Sequence, residues 1–135
     1  MTSDHSSTNS DLQQLRQLRP LLLRLHKALL DSEKVVYEQF HGRIQSPNEY
    51  FRLVTEHEWF NWLRPISQYI VQIDDVLKAK EPVSESEISE VLNRAKILLQ
   101  PAEEGTTLER RYFRAIQRDP DIALMHAEMN QLLNQ

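Results

Sequence analysis

Several groupings of ionisable side chains in this 135-residue chain have types and spacings that chemistry could use. His57 stands between Glu56 and Glu58, a ligand or acid–base arrangement if all three faced one cavity. Glu38-Gln-Phe-His41 supplies a Glu-x-x-His spacing, by which helical bundles hold a di-iron centre when each of two helices carries a copy. His26, Glu33 and Tyr37 make a polar row at helical spacing, and His126 falls between the apolar Ile122 and Met129. Those four side chains could line one internal pocket for a small molecule or a metal.

Other chemistry is thin. The chain has no cysteine, which excludes disulfides, thiolate metal sites and cysteine nucleophiles. Gly42 and Gly105 are its only glycines, too few for the phosphate-cradling loops that need several in one turn. The serines cluster in the first ten residues or at helix starts, Ser67 has no histidine near it in sequence, and nothing reads as a nucleophile elbow. A second Glu-x-x-His is missing. No metal, no cofactor and no catalytic residue is therefore assigned. The net charge of −4 argues against nucleic acid, whose phosphates call for clustered Lys and Arg. Arg110, Arg111, Arg114 and Arg118, like Arg16, Arg19, Arg24 and Lys27, are interleaved with carboxylates and read as solvated helix faces.

The elements that must position these groups are helices. Ser or Thr followed three residues later by Glu is a capping box, and the chain reads that way at Ser46/Glu49, Thr55/Glu58, Ser84/Glu87 and Thr106/Glu109. Asp119-Pro120 adds a further start, while Gly42, Pro82 and Pro101 supply stops. The resulting map is helices at 11–41, 47–54, 56–79, 85–99, 107–117 and 120–134, with residues 1–10 a flexible tail and 11–135 one domain. Pro65 falls inside the third and is expected to kink it.

Apolar stripes fix the faces. Leu15, Leu18, Leu22, Leu25, Leu29 and Val36 recur at helical spacing, as do Trp59, Leu63, Ile66, Ile70, Ile73 and Leu77. Ile88 to Leu99 and Ile122 to Leu133 supply two more stripes. Four stripes that need one another predict an all-α, antiparallel four-helix bundle-like domain with one or two extra short helices. On this projection His57 lies about 160° from its stripe and points outward. Glu58 becomes a capping residue, Glu56 a partner of the helix dipole, and His41 a partner of the dipole beside the Gly42 cap. Glu33, near the centre of its stripe, needs an ionic partner, which Arg19, Arg64 or Arg111 could supply.

Phe60, Trp62, Tyr69 and Val71 fall off the stripe, and with Tyr50 and Phe51 they suggest an aromatic surface for a protein partner or a second copy of the chain. Burial of Phe60 and Val71 beneath the short helix would remove that surface. Leu18-Arg19-Pro20 and Leu63-Arg64-Pro65 also echo each other and predict matched kinks.

The segments LRPLLLRLHKALLDSEKVVYEQFHGRI and EWFNWLRPISQYIVQIDD resemble segments of small helical bacterial proteins without assigned activity. The resemblance covers roughly residues 18–125 and implies a bacterial, cytoplasmic protein, but transfers no catalytic residue. No run of about 18 apolar residues that could span a bilayer occurs. The expected role is a non-catalytic interaction or regulatory module that pairs with a protein partner or with itself as a homodimer, with the internal His26/Glu33/Tyr37/His126 pocket as the alternative.

Overall fold

A computed structural model describes the chain from Thr2 to Asn134, with side chains from Ser10 onward. The fold is all-α: α1 Thr2–His41, α2 Pro47–Glu56, a 3₁₀ segment Glu58–Leu63, α3 Arg64–Leu77, α4 Glu85–Leu98, α5 Thr107–Arg118 and α6 Pro120–Leu133. Where a tail is expected over residues 1–10, the backbone from Thr2 already belongs to α1. The side chains of residues 1–9, that of His5 among them, lie outside what the structure describes.

Most helix starts follow the capping chemistry. Thr106 and Glu109 form a reciprocal capping box, and the hydroxyls of Ser46 and Ser84 accept from the backbone N–H groups of Glu49 and Glu87. Asp119 serves twice: it ends α5 and its carboxylate caps α6, so one residue joins the two helices. Gly42, at φ +85°, ends α1 in a backbone conformation that favours glycine.

The segment from 55 to 65 departs from the single long helix expected at 56–79. The Thr55 hydroxyl donates back into α2, to the carbonyls of Phe51 and Arg52, so it caps nothing downstream. His57 takes that task, its Nδ1 accepting from the Trp59 N–H at 3.0 Å. A 3₁₀ run follows, and Pro65 sits in the first turn of α3, where its missing N–H costs nothing. Pro65 therefore starts a helix, while Pro20 lies within α1, and the two are not matched kinks. The Leu-Arg-Pro echo has one physical trace: the Arg19 guanidinium pairs with Asp74 across α1 and α3.

The core is centred on α1. Leu15, Leu18, Leu22, Leu25 and Leu29 are fully buried, and α1 packs against α3, α4 and α6 at once, with α3 also on α4 and α5 on α6. This is a hub with helices around it, a coarser statement than an antiparallel four-helix bundle. Truncating Leu22 or Leu25 to Ala would cost roughly 2–5 kcal/mol, because α1 faces neighbours on several sides and the cavity has little room to collapse.

Candidate functional site

The six residues expected as an aromatic surface are divided by the fold. Phe60, Trp62 and Tyr69 are core residues, 1%, 5% and 0% exposed. The reason is local. In a 3₁₀ helix residues three apart eclipse each other, so Phe60 shares the inward face of Leu63, where an α-helical projection puts it aside. Tyr69 sits on the widened stripe of α3, and its hydroxyl donates to the Val91 carbonyl at 2.6 Å. Tyr50, on α2, is half-buried against Phe60, ring centroids 6.1 Å apart. Only Phe51 and Val71 remain exposed, on α2 and α3. A continuous patch of those six therefore does not form on the single chain.

The four residues expected to share an internal pocket occupy three environments. His26 lines an open cleft of about 410 Å³ with Val54, Phe60, Leu63 and Arg64, and burial holds its pKa below the usual histidine value. His126 lies against α5, its Nδ1 2.7 Å from the Tyr112 hydroxyl and its Nε2 3.2 Å from the Asn130 side-chain amide. Burial lowers the His126 pKa as well, and raises that of the fully buried Tyr112. The Asn130 amide nitrogen can only donate, so Nε2 accepts, and in the neutral imidazole that burial favours it is Nδ1–H that donates to the Tyr112 hydroxyl. Among the described residues no group of three His, Cys, Asp or Glu is placed to hold a metal ion. His57 is exposed, as expected, with Glu56 and Glu58 on either side of it also exposed. All three have structural positions at the junction of α2 and the 3₁₀ segment.

Glu33 and Tyr37 belong to the third environment. Glu33 is 1% exposed, and its Oε2 accepts from the Trp59 indole N–H at 3.0 Å. Its Oε1 lies 3.9 Å from an Arg111 nitrogen and 4.0 Å from one of Arg118. Arg111 is one of the partners the sequence suggests; Arg118 and Trp59 are not. The charge is held by one good hydrogen bond and two ion pairs too long to be hydrogen bonds. One turn on, the Tyr37 ring meets Trp59, His41 and Phe60 at centroid distances of 5.7, 4.5 and 5.8 Å, closing the apolar side of the cluster.

Around this carboxylate opens a cleft of about 280 Å³, lined by Val36 and Phe40 from α1, Trp59, and Arg111, Arg114 and Arg118 from α5. The arginines stand at i, i+3 and i+7, one helix face, because α5 docks on both the 3₁₀ segment and α6. Each is positioned differently. The Arg111 guanidinium lies over the Trp59 ring, 5.5 Å from its centroid. Arg118 donates from Nε and Nη2 to the Ser32 hydroxyl at 3.0 and 2.8 Å, fixing one edge of its fork. Arg114 is exposed and makes no ion pair among the described residues; its other side faces Glu103 and Glu104. Phe40, 73% exposed, forms the rim, 5.9 Å from Trp59.

Reading these arginines as a merely solvated face misses this arrangement. The i, i+3, i+7 spacing was the available signal, but the aromatic wall and buried Glu33 that complete the cleft come from segments more than fifty residues away. Compared with known protein families, with curated proteins and with solved structures, the chain matches none.

Proposed function

We propose that this chain is a non-catalytic interaction module that docks an acidic segment of a partner protein in the cleft between α1, the 3₁₀ segment and α5. The observation that carries the reading is the cleft's chemistry: three guanidinium groups and two aromatic rings around one carboxylate. Arginine stays protonated at any physiological pH and cannot exchange a proton in catalysis, while Glu33 is buried and held by Trp59. Such a set binds and orients. Arginine and aromatic side chains are also the types enriched where proteins meet.

An acidic partner fits by charge. The cleft carries three positive charges against one negative in a chain whose overall charge is −4, so it is locally opposite to the rest of the molecule. At about 280 Å³ it is slightly below the roughly 300–1,000 Å³ of small-molecule pockets, which suits a side-chain anchor better than a cofactor. A second copy of the chain, offering an acidic stretch such as Glu85 to Glu90, is the competing occupant. The setting we infer, from the resemblance of the two quoted segments, is the bacterial cytoplasm.

Selection from a random peptide display library on the full chain tests the reading. Enriched peptides should be rich in Asp and Glu beside an aromatic or aliphatic residue. Their binding should fall at least tenfold in Phe40→Ala and in Arg114→Gln, two exposed positions whose replacement leaves the core intact. Val71→Ala, exposed on α3, should bind like the parent. Peptides without acidic bias, or binding indifferent to Phe40 and Arg114, would overturn it. A dimeric mass by light scattering that becomes monomeric in Arg114→Gln would assign the cleft to self-association instead.

A further inference from the structure

Resting on that reading, we infer that the anchor of the docked segment is a phosphate monoester on a serine or threonine side chain, seated on Arg111, Arg114 and Arg118. Charge and donor geometry both point there. Within the lining of the cleft, three guanidinium groups less the Glu33 carboxylate leave two positive charges, with Glu103 and Glu104 lying outside it on the far side of Arg114, and a phosphorylated side chain carries about −1.5 to −2 at pH 7. A single carboxylate would leave one of them unmatched.

The donors are free in the right place. Arg118 spends its Nε/Nη2 edge on Ser32, which leaves Nη1 and the remaining Nη2 hydrogen for a ligand. Glu33 Oε1 stands 3.9 and 4.0 Å from the two flanking arginines, so it offsets their mutual repulsion without consuming their N–H groups. Trp59 and Ser32 hold Arg111 and Arg118 in place, reducing the side-chain entropy lost on binding. Arg114 completes a set of three from the solvent side, and three arginine forks suit the three terminal oxygens of a tetrahedral anion. Phe40 and Val36, at the same opening, offer an apolar wall to the residue beside the phosphorylated one.

The experiment compares four ligands by titration calorimetry on the full chain: one selected acidic peptide with serine, glutamate or phosphoserine at the position that contacts the cleft, and phenyl phosphate as a free ester. The phosphoserine peptide should bind at least tenfold tighter than the glutamate version. That advantage should vanish in Arg114→Gln and be only partly restored by Arg114→Lys, which keeps the charge but loses the fork. Equal affinity of the glutamate and phosphoserine peptides, both still sensitive to Arg114, overturns the phosphate anchor while the docking module stands. Phenyl phosphate binding as tightly as the phosphopeptide overturns a protein-borne source. Failure of every peptide removes both readings.

Discussion

Replacing Glu33 by glutamine isolates the charge that organises the cleft. The substitution keeps the shape and an acceptor for the Trp59 indole N–H, so it leaves no cavity. The bond at 3.0 Å changes from charge-assisted, worth about 1.5–3 kcal/mol, to neutral, worth about 0.5–1.5 kcal/mol, a loss near 1 kcal/mol. Arg111 and Arg118 lose an opposite charge about 4 Å away. An effective dielectric of about 20 puts each such attraction at up to about 4 kcal/mol, but their side chains are 34% and 36% exposed and water replaces most of it. About 1 kcal/mol for the two together is a reasonable remainder, between exposed and buried pairs. Glu33→Gln should therefore cost about 2 kcal/mol, or about 7 °C in melting temperature at the entropy of unfolding expected for a chain of this size. Urea unfolding at constant m-value measures it. A cycle with Trp59→Phe should return a coupling of about 1 kcal/mol, since both changes act on one bond. A stability within about 0.5 kcal/mol of the parent, or additive effects in the cycle, would refute the view that a buried, ionised Glu33 holds this site together.

Four further outcomes follow from the structure. Because burial lowers the pKa of both His26 and His126, the unfolded chain takes up their protons first as pH falls; stability should decline below about pH 6.5, and His26→Gln with His126→Gln should flatten that decline in urea midpoints. Burial raises the Tyr50 hydroxyl to about 12, so the unfolded chain ionises there first and stability should also fall above about pH 10, less so in Tyr50→Phe. The Arg19 guanidinium, hydrogen-bonded to Asp74, holds that carboxyl below the usual carboxylate range; an NMR titration should show Asp74 returning to an ordinary value in Arg19→Gln. Gly42→Ala should cost about 1 kcal/mol in thermal unfolding, purely from the positive φ, because nothing lies within 4 Å of the added Cβ.

What the sequence reveals about the fold is what local chemistry controls. Thr106 with Glu109 and Asp119 with Pro120 declare their helices because a cap acts within one turn, and the leucines of α1 declare their face because 3.6-residue spacing outlasts any local irregularity. Prediction fails at residues 55–65, where two devices compete. Thr55 with Glu58 looks like a capping box, yet the Thr55 hydroxyl finds carbonyls of its own helix, and His57, whose ring nitrogen is an unremarked acceptor, caps instead. The resulting 3₁₀ turn changes the angle per residue and eclipses Phe60 with Leu63, which carries Phe60 inside; the burial of Trp62, a third of a turn from Leu63, comes from tertiary packing rather than from that turn. The candidate site was half-legible. Glu33 announced itself as a carboxylate in a leucine stripe and Arg111 as one partner. Trp59 and Arg118 could not be paired with it, because their meeting depends on how α5 docks against the 3₁₀ segment. The indole nitrogen of Trp62, buried with no hydrogen-bond partner, has no physical account in this fold.

The most direct measurement is a two-dimensional ¹H–¹⁵N NMR titration of the full chain with a selected acidic peptide, following the two indole resonances and the arginine Nε–H signals. Trp59, bonded to Glu33 and covered by Arg111, should shift together with Arg111, Arg114 and Arg118, while Trp62 in the core stays still. Shifts centred on Phe51 or Val71 instead, or a motionless Trp59 indole at saturation, would contradict docking in this cleft.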